Sequence, residues 1–300
     1  MAIHRSESDF DLLWYSARHL VNGRDPYPLW REHWKYPLYY PLPAVLMAVP
    51  FAWLPLVLAR TVYGVAVGAL FGAALQGQPW WRWSVLLSGA YVYAALRAQP
   101  NQALLAAALM PTLGGLFTMK PNSGLVLFAA YPSRKAVVGS IAILAVSLTI
   151  LPRWPIEWHQ AVHGTLVIQP AIQRPWGWLL LLGLVRWREP RGRLLAALAV
   201  VPLNSLPHET LALCLIPASG AEMAIYCLGT WIATAATMEA RLVAPTLEAA
   251  QRLVWPWLLG AVYLPMLVCV LRPSARKHPV KREPTEGDDA VGGPGVGQGV

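Results

Sequence analysis

"LVLARTVYGVAVGALFGAAL" fills positions Leu56–Leu75, an apolar run broken by a single charge, Arg60. A helix that crosses the hydrocarbon core needs roughly 17–25 such residues. Comparable runs recur at Gln102–Met119, Ala136–Leu151, Ala221–Met238 and Val254–Leu271. One run of this kind fits the core of a soluble domain, but five do not. Composition agrees: 56% of residues are hydrophobic and only 13% charged, where soluble domains carry roughly 25%. The mean hydropathy is +0.43. The expected fold is all-α and polytopic, with about eight to ten membrane spans. Proline-punctuated shorter runs enter that count as broken or tilted helices.

Working outward, three regions separate. Residues 1–40 form a polar, aromatic segment expected on the extracytoplasmic side or in the interface, 41–271 the transmembrane body, and 272–300 a charged, Pro/Gly-rich tail expected to be disordered. Arg272, Arg276, Lys277, Lys281 and Arg282 follow the last apolar run and assign the tail to the cytoplasm. Arg134–Lys135 and "RWREPRGR" (Arg186–Arg193) join it there. The loops Arg153–Pro175, Pro207–Glu209 and Glu239–Arg252 then fall outside. The expected location is the plasma membrane, multi-pass. Pro41–Leu54 is short for a span and suits the interface, with Tyr39, Tyr40 and Trp53 at headgroup depth; Trp80, Trp81 and Trp83 form a second belt. The net charge of +9 sits in short loops and the tail, which reads as orientation in the bilayer rather than nucleic-acid binding.

No metal or cofactor is expected. Cys214, Cys227 and Cys269 sit in apolar runs without CxxC spacing, and His159–His163 has no neighbouring ligand set. P-loop, GxGxxG and GxSxG patterns are absent from the sequence.

The polar residues inside the body carry the chemistry. A charge at membrane depth costs about 2.5–3.5 kcal/mol, so Lys120 in "TMKPNSG" needs a reason. It either snorkels to an interface or holds an anion such as a phosphate. Asn101 in "RAQPNQ" and Asn204 in "LNSLPHE" cap helices or line a site. His208 and Glu209 are a solvated loop pair or a pair for binding and proton transfer. At the start, Asp9, Asp11 and Asp25 interleave with Trp14, Tyr15 and Tyr27. Such a segment is either a solvated amphipathic helix or a carboxylate base beside rings that stack on a sugar.

"DFDLLWYSARHLVNGRDPYPL" followed by "YPLYYPLPAVLMAVPFAWLP" resembles the opening of one branch of the GT-C superfamily, the polyprenyl-phosphate-mannose-dependent mannosyltransferases and their bacterial relatives. "AQPNQALL" is similar to that family's Gly-Gln-x-Asn element, "FTMKPNSGLVLFAAYPSRK" to its Ile-Lys-Pro element, and "NSLPHETLALCLIPA" to its Ser-Pro-x-x-x-His segment. The resemblance implies an integral membrane hexosyltransferase with no cofactor, whose donor is a polyprenyl-phosphate sugar and whose acceptor is a glycan or glycolipid. It implies Asp9 as the catalytic base, Lys120 on the departing phosphate, and Asn101 and His208 in the pocket. Asp11, Tyr15 and Tyr27 are further candidates on the acceptor side.

The likeness has departures. Ala98 stands where the family has glycine, Leu42 where it has a second proline, and only a few residues precede Asp9 where the family has a span. A straight helix from Asn101 to Lys120 would part them by about 28 Å, so a shared pocket requires a hairpin at Pro111 and Gly114–Gly115. Two other expectations stand beside transfer. One is a truncated, non-catalytic relative that binds lipid-linked sugar or a partner. The other is a small-molecule transporter, which the lack of internal repeats and intramembrane carboxylates disfavours.

Overall fold

The computed structural model describes residues 8–28, 37–162 and 168–272, all helix and connecting turns with no strand among them. Beyond Arg272 the tail expected to be disordered lies outside the described residues, as does His163.

The chain opens with α1 (Asp9–Val21). Ser8 caps it by accepting from the Phe10 amide, Asp9 and Asp11 occupy the positive first turn, and Arg18 and His19 the negative last one. Phe10, Leu13, Trp14 and Ala17 recur at helical spacing and are buried. The helix is therefore not a solvated appendage. Its face packs on α2 (Leu42–Ala48) and on α3 (Leu56–Leu75). Phe10 stacks on Tyr63 with centroids 4.3 Å apart, and Trp14 Nε1 donates to the carbonyls of Phe51 and Leu54.

α3 is long and apolar enough to cross a membrane, and so is the continuous helix Leu247–Leu271. The latter comprises α11 (Leu247–Leu258), a π turn and α12 (Leu264–Leu271). A third passage, α7 (Arg134–Ile150) with α8 (Trp154–Val162), qualifies only if it is one span bent by 97°. The described residues therefore offer two spanning helices, or three, where the sequence suggests about eight to ten.

Proline accounts for much of the difference. Gln102–Met119, read above as one span, breaks at Met110 (φ −122°, ψ 87°) into α5 (Asn101–Leu109) and a 3₁₀ segment, Pro111–Met119. A residue before proline is driven out of the α region. The 3₁₀ segments Trp80–Leu87 and Pro207–Leu215 likewise start at or just after a proline. A nine-residue α piece reaches only about 14 Å, less than half the hydrocarbon thickness.

The break at Met110 turns the chain back on itself. Pro111–Met119 lies against α5 on one side and α7 on the other, then leads into α6 (Pro121–Ala130). Its approach to α7 depends on small residues: a Cβ on Gly114 would fall 2.2 Å from that of Ala136. The rest of the body is α4 (Gly89–Leu96), α9 (Pro190–Val200) and α10 (Gly220–Val243). Outward faces are oily; Val57, Val65, Val138 and Ile141 on α3 and α7 are all more than half exposed. Exposed apolar surface of this extent marks a face that meets lipid or another protein.

Candidate functional site

Asp9, the expected base, stands at the start of α1. Its Oδ2 accepts from the Tyr40 hydroxyl at 3.1 Å, and Arg97 Nη2 lies 3.9 Å from its Oδ1. The side chain keeps 34% exposure. The contact with the 97–101 turn is doubled by the backbone, because Asp9 N and Ser8 Oγ both donate to the Arg97 carbonyl. Tyr40 is buried, and burial followed by the adjacent Asp9 charge raises its phenol well above its usual range. It therefore remains a proton donor to Asp9.

Asp11 is turned the other way. It is buried and gripped by Arg60 of α3, whose Nε and Nη2 reach its two oxygens at 2.9 and 2.6 Å. Burial raises its carboxyl above the usual value against the pull of Arg60. The pair ties α1 to α3 and explains the lone charge in the first apolar run. Tyr27 is buried with its hydroxyl 3.4 Å from the Tyr40 carbonyl, and Tyr15 sits edge-on to Trp14.

The other expected residues converge on Glu209. Lys120 Nζ is 2.6 Å from Glu209 Oε1, Ser123 Oγ donates to Oε2 at 3.1 Å, and His208 Nε2 lies 3.3 Å from Oε1. Asn101 closes the ring: its Oδ1 accepts from Lys120 at 3.3 Å, and its Nδ2 donates to the His208 carbonyl at 3.0 Å. Asn101 is thus no helix cap. Glu209 is 3% exposed, so the "PHE" segment is core rather than loop. Burial by itself would raise its pKa, but Lys120 and His208 outweigh it and hold the carboxyl well below the carboxylate range. The cavity beside this ring measures about 10 Å³, room for roughly one water.

The turn at 97–101 joins the two groups. Arg97 faces Asp9 and Asn101 faces Lys120. Tyr93, in the last turn of α4, stacks flat on the His208 ring with centroids 5.7 Å apart. Between them Ala98 adopts φ +45°, in the left-handed region that favours glycine. Tyr40 spans the gap electrostatically, since both Asp9 and Glu209 act on its phenol. Around the turn, Tyr63 Oη, Tyr93 Oη, Gln99 Oε1 and His208 Nδ1 are buried with no partner among the described residues. Unpaired buried polar atoms are scarce in proteins and concentrate where ligands or catalysis require them.

Arg97 and Ser123 belong to these groups and were not singled out from sequence, while Tyr40 was read only as an interfacial aromatic and Arg60 only as the lone charge of the first run. Glu209 was seen only as the neighbour of His208. Its signal was Lys120, since an ammonium among apolar residues demands a carboxylate and the body holds few. Among the described residues, no cluster of His, Cys, Asp and Glu has the make-up of a metal site. No protein-family model, curated protein or solved structure matches this chain.

Proposed function

We propose that this protein is a polytopic plasma-membrane glycosyltransferase with a cytoplasmic tail, moving a hexosyl group from a polyprenyl-phosphate donor to an extracytoplasmic glycan or glycolipid acceptor. The carrying observation is that Asp9, Arg97, Asn101, Lys120, His208 and Glu209, drawn from across the chain, gather on the two sides of one turn. Two spanning helices fit a membrane setting, and the proline-broken pieces pack against neighbouring helices, as membrane-depth backbone can when protein surrounds it.

In the proposed reaction the acceptor hydroxyl gives its proton to Asp9 Oδ, and its oxygen attacks the anomeric carbon. The carbon–oxygen bond to phosphate breaks, the electron pair leaves with polyprenyl phosphate, and configuration inverts. Asp9 suits the task because it is partly exposed, its ion pair with Arg97 is long at 3.9 Å, and it accepts a hydrogen bond from Tyr40. The ring around Glu209 fixes the far side of the turn. Transfer of labelled sugar from a polyprenyl-phosphate hexose by the purified protein in proteoliposomes tests the proposal. An inverted product supports it.

One observation favours a second reading, a non-catalytic membrane protein of the same build. Lys120 is already neutralised by Glu209, and the cavity beside them admits little more than water. Folded protein that binds the lipid-linked sugar without transferring it would select this alternative.

A further inference from the structure

If Glu209 occupies Lys120, the leaving phosphate of the proposed reaction needs another cation. Arg174 is 9% exposed, yet no carboxylate among the described residues pairs with it. Its Nη2 donates to Gln251 Oε1 at 3.2 Å and its Nε to the Gln169 carbonyl at 3.5 Å, and its guanidinium lies 5.6 Å from the Trp255 ring centre. All of these partners are neutral. Nη1 donates to no described residue. Among the described residues the carboxylate that acts on it, Glu248, is exposed and spent on Arg252 at 2.6 Å. Enclosing a charge without a counter-charge is costly, and proteins repay it with an ion or a ligand.

The surroundings are built to hold the guanidinium still. Arg174 N donates to the Ala171 carbonyl and Gly177 N to that of Arg174. Trp176, between them, sits at φ +62°, a strained conformation for a bulky side chain. Trp255 Nε1 pins the turn through the Pro175 carbonyl at 2.9 Å. Gln251 is held in turn by Asn204 at 3.2 Å, in the stretch that runs directly into His208 and Glu209. The Arg174 nest therefore adjoins the segment carrying the Glu209 ring.

We propose that Arg174, steadied by Gln251 and Trp255, is an anion-binding site that takes a phosphate group. A planar guanidinium with free N–H donors fits phosphate oxygens, and arginine stays charged where a buried lysine can lose its proton. That the anion is a phosphate rests on the transfer proposal; that an anion binds does not. The source is either a lipid phosphate headgroup or free phosphate.

The test is thermal unfolding of the full-length protein in detergent, with inorganic phosphate in one arm and a short-chain polyprenyl phosphate in the other. Stabilisation of wild type in either arm, absent from Arg174→Gln, supports the site, and the arm that responds names the source. Gln251→Glu places a tethered carboxylate on Arg174. It should unfold at a higher temperature than wild type without phosphate and gain nothing further from it. Should Arg174→Gln fail to fold, Gln251→Glu carries the test. The proposal is overturned if neither phosphate stabilises wild type, or if either variant responds to phosphate as wild type does. Transfer is not read in this experiment, so its failure leaves the transferase proposal to be judged separately.

Discussion

Lys120 Nζ stands 3.3 Å from Asn101 Oδ1 across 19 positions of chain, with Lys120 closing on Glu209 and Asn101 on the His208 carbonyl. The contact exists because the segment between them folds back at Met110–Pro111 rather than running straight. Lys120 and Glu209 therefore depend on each other: removing either leaves a buried, uncompensated charge. Lys120→Met and Glu209→Gln should each cost about 3–5 kcal/mol. The double variant should cost clearly less than their sum. Denaturant unfolding of the three variants in detergent measures that coupling, and strict additivity would mean the pair is not a unit.

Ala98 offers a prediction of opposite sign. Alanine at φ +45° bears a penalty of about 1–2 kcal/mol that glycine avoids, while glycine loses roughly 0.5–1 kcal/mol more chain entropy on folding. Ala98→Gly should raise stability by up to about 1 kcal/mol, whereas Ala98→Val should lower it. A rise in the unfolding temperature for glycine and a fall for valine is the expected pair of results.

How far the sequence revealed this arrangement varied by element. Leu56–Leu75 reads directly as a span because only Arg60 interrupts its apolar run, and the helix ends where expected. Asn101 and Lys120 stood out because polar groups at membrane depth need reasons. Their meeting was legible only as a condition on Pro111, Gly114 and Gly115. The span count was not legible. Hydropathy registers that a run is oily, but not that one proline divides it into pieces each too short to cross. Asp11–Arg60 was hidden for another reason: 49 positions separate the partners, and no local pattern encodes such a pairing. Arg174 sat in a loop read as extracytoplasmic, and only its enclosure by Gln251 and Trp255 makes it notable.

Acidity should act through Glu209. Its folded pKa is depressed, so the stability it contributes is present above the unfolded carboxylate value of about 4.3 and lost as pH falls below it. Asp11 has the reverse sign. Its folded pKa is raised, so its contribution is greatest at low pH and declines as pH rises through the folded value. Glu209→Gln removes the first dependence and keeps the second. The stability difference between wild type and this variant should therefore shrink on acidification below about pH 4.3. A difference independent of pH would show that Glu209 is not held ionised by Lys120 and His208.

In the proposed reaction Tyr40 orients Asp9 and is not itself the base. Tyr40→Phe removes the hydrogen bond to Asp9 Oδ2 and keeps the ring. Transfer should fall by about tenfold, on the order of one lost hydrogen bond to a charged group. An unchanged rate would take Tyr40 out of that role.

The most direct measurement compares sugar transfer from a labelled polyprenyl-phosphate hexose by wild type and Asp9→Asn, with the unfolding temperature of each recorded. The account predicts transfer by wild type and a loss of about 10²–10⁴-fold in the variant, the size of a general-base contribution, at nearly unchanged stability. Equal transfer by the two proteins would contradict it.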